Sequence, residues 1–313
     1  MLSFVITYKN KTEKRLKNIL TTVIESEMDV PADSLTVTFP YDSEISKNAD
    51  YISAYLDNKL VFTGQVDEII TIKKADGIIN KLTARSKASF LLDNEAEAIT
   101  YINPSAVLIF ERHLKPLGIT EYEADDVPFY GALKIDKGMT HWQVLYNFCK
   151  NRYSSIPRIS GDGKAYFKGA DNEAVVSFGD EKSDINYVSL KENKKRFKLI
   201  SEVKLKLNEF GTYSGVIKNT NTESDSIKRV RYVNLISDNN TIGTADKIIN
   251  QSNLDSYTTE LECLGCHIGI IGSKAVINDN LLGEVKNLRI IAVRYTLDNS
   301  GEKTTVTMGK ESF

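Results

Sequence analysis

Cys263-Leu264-Gly265-Cys266-His267 is the stretch whose residue types and spacing come nearest to known chemistry. Two thiols two residues apart, followed by an imidazole, match the attachment pattern of a c-type haem. Haem attachment requires export, and Met1-Leu2-Ser3-Phe4-Val5-Ile6 has neither a basic n-region nor a small-residue cleavage site, so it reads as a first strand. A structural zinc would use the same three donors and need a fourth from elsewhere. The neighbours Leu261, Leu264, Ile268, Ile270 and Ile271 read as strand packing. The expectation is therefore buried free thiols, with no cofactor and no metal. With Cys149 the chain holds three cysteines, too few and too unevenly placed for a disulfide framework.

Hydrolytic chemistry would need a nucleophile with its base, or two carboxylates set for acid and base work. Asp93, Glu95 and Glu97, then Glu121, Glu123, Asp125 and Asp126, supply carboxylates, but in loops and elbows where solvated surface is expected. His113 lies on a first predicted helix and His141 at the start of a second, neither with a partner in sequence. There is no Walker loop, no Gly-x-Ser-x-Gly and no His-Glu-x-x-His. No catalytic residue is assigned. The one basic run, Lys191-Glu192-Asn193-Lys194-Lys195-Arg196-Phe197-Lys198, suits nucleic acid, an acidic neighbour, or a solvated strand lead-in that blunts an edge. The last is the expectation. Trp142, Tyr146 and Phe148 could form a stacking platform, but on a capped amphipathic helix they read as packing.

Composition bounds the rest. At 313 residues the chain is long enough for two or three domains, and 41% hydrophobic with 26% charged residues is ordinary for a soluble protein. A net charge of -2 removes the bulk electrostatic case for a nucleic-acid binder and leaves room for a local basic face. No apolar run approaches the ~20 residues that span a bilayer, so no membrane partner is expected.

The elements that would position any site are mostly strands. Val61–Asp67 and Ile78–Arg85 flank Asp76-Gly77, a strong hairpin signal. Residues 3–8, 19–25, 35–39 and 51–56 add short strands at turn spacing, which suggests a small barrel or sandwich. Gly64 within its strand marks a bulge or a close backbone approach. After Tyr101 the pattern changes. Asn103-Pro104 reads as N-cap and first helical residue, and Pro116-Leu117-Gly118 as the stop. Thr140 with Gln143 forms a capping box ahead of Val144, Leu145, Phe148 and Cys149. Gly161-Asp162-Gly163 reads as a hairpin turn, Asn219 to Asp225 as a polar loop, and Thr244 to Asn253 as a short helix. Strands resume at 203–207, 257–263, 288–297 and 303–308. The expected class is mainly β with an α/β insertion, divided at 1–101, 102–189 and 190–313.

One ordered set of motifs resembles a family. Gly64-Gln65-Val66-Asp67, Arg85-Ser86, Leu91-Leu92-Asp93-Asn94-Glu95-Ala96 and Thr100-Tyr101 look like the baseplate hub protein of contractile phage tails and of tail-like (R-type) bacteriocins, the late-control family. Pro31-Ala32-Asp33-Ser34, Asn103-Pro104-Ser105, Gly138-Met139-Thr140-His141-Trp142, Ile200-Ser201-Glu202-Val203 and Val293-Arg294-Tyr295 extend the resemblance along most of the chain. The Cys-rich strand departs from it. The structural motif residues are Gly64, Asp67, Arg85, Ser86, Leu92, Asp93 and Tyr101.

The resemblance implies a non-enzymatic homotrimer, each subunit bringing two tail-tube-like β-barrel domains on either side of the small α/β domain. Six barrels would match a hexameric tail tube protein above, and the threefold axis a trimeric spike protein below. Surrounding baseplate proteins complete the partners, with no specific nucleic acid. Such a chain would be made in the bacterial cytoplasm and carried in a phage tail or tail-like particle. The rival readings are a tail-associated cell-wall hydrolase and a carbohydrate- or surface-binding β module.

Overall fold

The computed structural model describes residues 2–28, 30–125, 130–153, 155–169, 172–179, 182–222, 226–236, 242–281 and 283–310. Asp126, and the end of the polar loop read at 219–225, lie outside the described residues. The chain is mainly β with a small helical insertion. Its contacts divide it into two units: residues 1–171 with 264–271 and 292–304, and residues 172–263 with 272–291 and 305–313.

In the first unit an antiparallel sheet runs, neighbour to neighbour, through Thr21–Glu27, Ser34–Pro40, Gly77–Ser86, Lys59–Lys74, Ala49–Leu56, Leu2–Tyr8 and Glu13–Arg15. Alternation sends Phe4, Ile6, Leu35, Val37, Ile52, Phe62 and Leu82 to one face, where all are buried in one cluster. Asp57 and Asn58, with φ of 48° and 68°, turn the chain between Leu56 and Lys59, and Ala75-Asp76 between Lys74 and Gly77. The sheet takes one more strand from far along the chain. Ala292 to Leu297 pair with Glu27 to Thr22, and Tyr295 enters the same core. Residues 292–304, read above as part of the last domain, thus belong by contact to the first unit.

The same unit holds a second apolar cluster under the insertion. The helix His141–Tyr153 buries Val144, Leu145, Phe148 and Cys149, and its capping box forms: Gln143 N donates to Thr140 Oγ1 at 3.2 Å and Thr140 N to Gln143 Oε1 at 2.8 Å. The first helix starts later than expected. Ser105, not Asn103, caps Ala106–Ile109 by accepting from Leu108 N, while Asn103 takes φ 50° just before it. A π-helical turn, Phe110–Leu114, follows, and Gly118 at φ 83° ends the segment.

In the second unit Asn172–Gly179 runs parallel to Ser273–Asp279, and Ile185–Lys194 antiparallel to Tyr257–Leu264. The last part of the segment read as insertion therefore pairs with strands of the second unit. A separate three-stranded sheet, Gly215–Lys218, Glu202–Lys206 and Val230–Asn234, carries the helix Ile242–Ser256. Val203, Leu205 and Val233 meet Ala245 and Ile249 in its core.

Candidate functional site

The motif residues converge in the first unit, where the strand Gly77–Ser86 ends in the short helix Ala88–Asp93. The register of its hairpin partner shifts between Val66 and Glu68, a bulge that leaves Asp67 out of the pairing. Arg85 then grips two carboxylates. Its Nε and Nη2 donate to Asp67 at 2.9 and 3.1 Å, and its Nη2 and Nη1 donate to Asp93 at 2.8 and 3.2 Å. This fork holds the guanidinium well above its ordinary pKa, the Asp67 bond first. All three side chains keep solvent contact, so the fork contributes geometry more than energy. Gly64 sits under it: a Cβ there would lie 2.0 Å from the carbonyl oxygen of Arg85. Leu92 packs against the insertion core.

Ser86 leads to a contact that sequence reasoning missed. Its N donates to Asp33 O at 2.8 Å, and its Oγ accepts from Asp33 N at 3.1 Å. The Asp33 carboxylate accepts from Arg158 Nη2 at 3.0 Å, with the two side chains 4% and 6% exposed. Burial pushes the Asp33 carboxyl up, against the pull of Arg158. Arg158 Nη1 also donates to Glu27 O at 3.0 Å, and Thr63 N to Gly161 O at 2.7 Å. The hairpin 158–166 is thereby locked onto the strands of the first sheet. The only sequence signal was Pro31-Ala32-Asp33-Ser34; nothing marked Arg158.

Tyr101 belongs to a polar chain inside the insertion. Its hydroxyl lies 3.2 Å from His113 Nε2, and His113 Nδ1 lies 3.1 Å from His141 Nδ1. The Glu95 carbonyl holds the other side of the His141 imidazole. With both rings neutral, one set of donors satisfies every bond: Tyr101 O–H to His113, His113 Nδ1–H to His141, and His141 N–H to Glu95. Burial first, then His141 and Arg112, push His113 down to about 4, and burial also lowers His141. A lowered imidazole pKa means the unfolded chain binds more protons between about pH 4 and 6.5, so stability is full above that window and falls with acid. His113 is 3% exposed. We expect about 2–3 kcal/mol to be lost between pH 7 and pH 4.5. A thermal-melting series over that range checks it, and His113→Gln should flatten the slope.

The other candidates fall into supporting roles. Glu95 carboxylate accepts from Gly138 N at 2.7 Å, Glu123 pairs with Lys164 at 2.9 Å, and Asp125 pairs with Lys168. Trp142 is partly buried against the insertion core. Burial raises the Cys263 and Cys266 thiols to about 11, which keeps both protonated at neutral pH. His267 spends Nε2 on the Leu264 carbonyl at 2.8 Å. The described residues include no group of three or more His, Cys, Asp or Glu placed to hold a metal. The fork, the buried pair and the histidine chain all fix segments against one another.

No family model and no curated protein matches the sequence. Solved structures do. A prophage tail protein from Shewanella oneidensis matches with a TM-score of 0.81 at 14% identity, over 99% of this chain and 98% of that one. A tail protein from Neisseria meningitidis matches at 0.77 with 18% identity, over 99% and 96%. The chain has a phage tail-protein fold. A type VI secretion component from E. coli, described as similar to bacteriophage tail proteins, matches at 0.58 with 8% identity, over 94% of this chain and 74% of its own. The similarity of fold thus covers 99% of this chain in both tail proteins.

Proposed function

We propose that this chain is the baseplate hub of a contractile tail or tail-like injection particle. Three copies form a ring that adapts a sixfold tube to a threefold spike. The observation that carries the reading is the fold match to phage tail proteins over nearly all of both chains. One chain of a Francisella PdpA–VgrG complex also matches at a TM-score of 0.58 with 11% identity, over 99% of this chain and 52% of that one, which supports association with a spike. In this reading residues 1–101 and 190–313 supply two tube-like barrels, less the strand exchanged at 292–304, and 102–189 supplies the insertion toward the surrounding baseplate. Sheets with open edges are an aggregation hazard unless paired, and a closed ring of neighbouring barrels pairs them. The function is mechanical and no reaction is catalysed. Of the seven acids weighed for a hydrolase, Asp93, Glu123 and Asp125 are engaged by Arg85, Lys164 and Lys168.

Co-expression of this chain with its particle's spike tests the proposal. A complex of three copies of each, by mass measurement and negative-stain imaging, is the expected result. A chain that stays monomeric beside the assembled spike, or cleaves peptidoglycan in a zymogram, contradicts it.

A further inference from the structure

The small sheet of the second unit carries a feature the hub reading does not use. Residues 194–236 hold ten lysines and arginines against four acids, a local excess in a chain whose net charge is -2. The same segment holds four of the six exposed large aromatics among the described residues: Phe197, Phe210, Tyr213 and Tyr232, against Tyr41 and Tyr130 elsewhere. Positive charge and exposed rings are thus concentrated together.

The register places Lys204, Lys206, Lys218 and Tyr232 on one face, with Glu202 among them 3.6 Å from Lys204, and Arg231 on the opposite face. Lys204 pairs with Val216 on one side and Tyr232 on the other, so these three side chains share a row across the sheet. The next row is Lys218, Glu202 and Val230, and Lys206 extends the face in the other direction. The opposite face, with Val203, Leu205 and Val233, is covered by the helix Ile242–Ser256. Tyr213 abuts Tyr232 edge to face, with centroids 5.0 Å apart, and Tyr232 remains 61% exposed. At the end of the face opens a cavity of about 450 Å³ lined by Ser201, Glu202, Lys218, Asn219, Lys228 and Val230. Asn219 is fixed there by bonds from its Nδ2 to the Ile200 carbonyl and Asn253 Oδ1, both 2.8 Å.

We propose that this face binds single-stranded nucleic acid without sequence preference. An open sheet with lysines beside an exposed tyrosine offers what a single strand presents, a line of phosphates and a series of flat bases. The cavity between Lys218 and Lys228 has room for a base or sugar at one end of the track. An acidic protein would satisfy the charge but not the composition. Seven of the ten bases are lysine, the residue depleted where proteins bury surface against each other, whereas phosphate contacts accept lysine readily. The net acidic chain does not oppose this, because screening confines the relevant field to roughly 10 Å.

The test uses the full chain and a fluorescein-labelled oligothymidylate about 20 nucleotides long, followed by anisotropy at about 50 mM salt and then at rising salt. Saturable binding that weakens with salt is expected. Lys204→Gln and Lys218→Gln should each reduce the log–log salt slope by about 0.7. Tyr232→Ala should weaken binding ~5–100-fold, with Tyr232→Phe restoring it because the ring is retained. Thermal melting of each variant keeps a folding defect from being read as lost contact, and Tyr213→Ala offers a second aromatic site if Tyr232→Ala melts early. No binding at about 50 mM salt overturns the proposal, as does indifference to the loss of the ring. Tighter binding of duplex DNA or of polyglutamate than of the single strand also overturns it. Trimer assembly does not enter the readout, so this result and the hub proposal fail independently.

Discussion

Arg158→Ala is expected to cost about 3–5 kcal/mol, because it leaves the Asp33 carboxylate buried without its cation. Asp33 is 4% exposed and receives Arg158 Nη2 at 3.0 Å. Removing the guanidinium also frees the Glu27 carbonyl, which accepts from Nη1 at 3.0 Å. The loss falls on the attachment of the hairpin 158–166 to the first sheet, so the melting temperature should drop by roughly 10 °C or more. Replacing both partners with apolar residues, Asp33→Leu with Arg158→Met, should cost much less than the single change, since no charge is then stranded. Urea denaturation of the three proteins measures this. A single variant within about 1 kcal/mol of the parent, the size of an exposed pair, would mean the lock is solvated.

Gly64→Val is expected to cost about 3 kcal/mol or more. A Cβ at this position meets Arg85 O at 2.0 Å and Arg85 C at 2.7 Å. Both are backbone atoms of a paired strand, so no rotamer change relieves the clash. The strands must separate where Arg85 reaches Asp67 and Asp93, and the fork is lost with them. Even Gly64→Ala meets the same two atoms. Gly77, the turn glycine of the hairpin, has nothing within 4 Å of an added Cβ but sits at φ 148°, so Gly77→Ala reports backbone strain and not a clash. A Gly64→Ala variant that melts with the parent would contradict the close approach at Gly64.

What could be read from the sequence was local. Period-two alternation, the hairpin at Asp76-Gly77 and the Thr140–Gln143 box each lie within a few residues, and the structure carries all three, with the turn itself at Ala75-Asp76 and Gly77 opening the second strand. Gly64 was readable because glycine within a strand has few other uses. The first helix was misread by two residues, since Asn103 and Ser105 are both good caps and only the backbone decides between them. What could not be read is contact across long stretches of chain. Arg158 and Asp33 are 125 residues apart in sequence. His113 and His141 bring complementary lone pairs and protons together from two helices. The strand 292–297 looks from its composition like any other strand of the last domain, and only pairing with Thr22 to Glu27 assigns it to the first sheet. The acids near the elbow read as solvated surface, and Asp93, Glu95 and Glu97 are exposed; the bonds of Asp93 to Arg85 and of Glu95 to Gly138 were not legible.

Copy number around the particle axis tests the hub proposal most directly. Cryo-electron microscopy of assembled tails, with the chain located in density, measures it without asking the free subunit to oligomerise. The proposal predicts three copies closing a sixfold-like ring around an open channel, tube above and spike below, with the α/β insertion outside the ring. Six copies around the axis, or a single copy on the periphery, would contradict it.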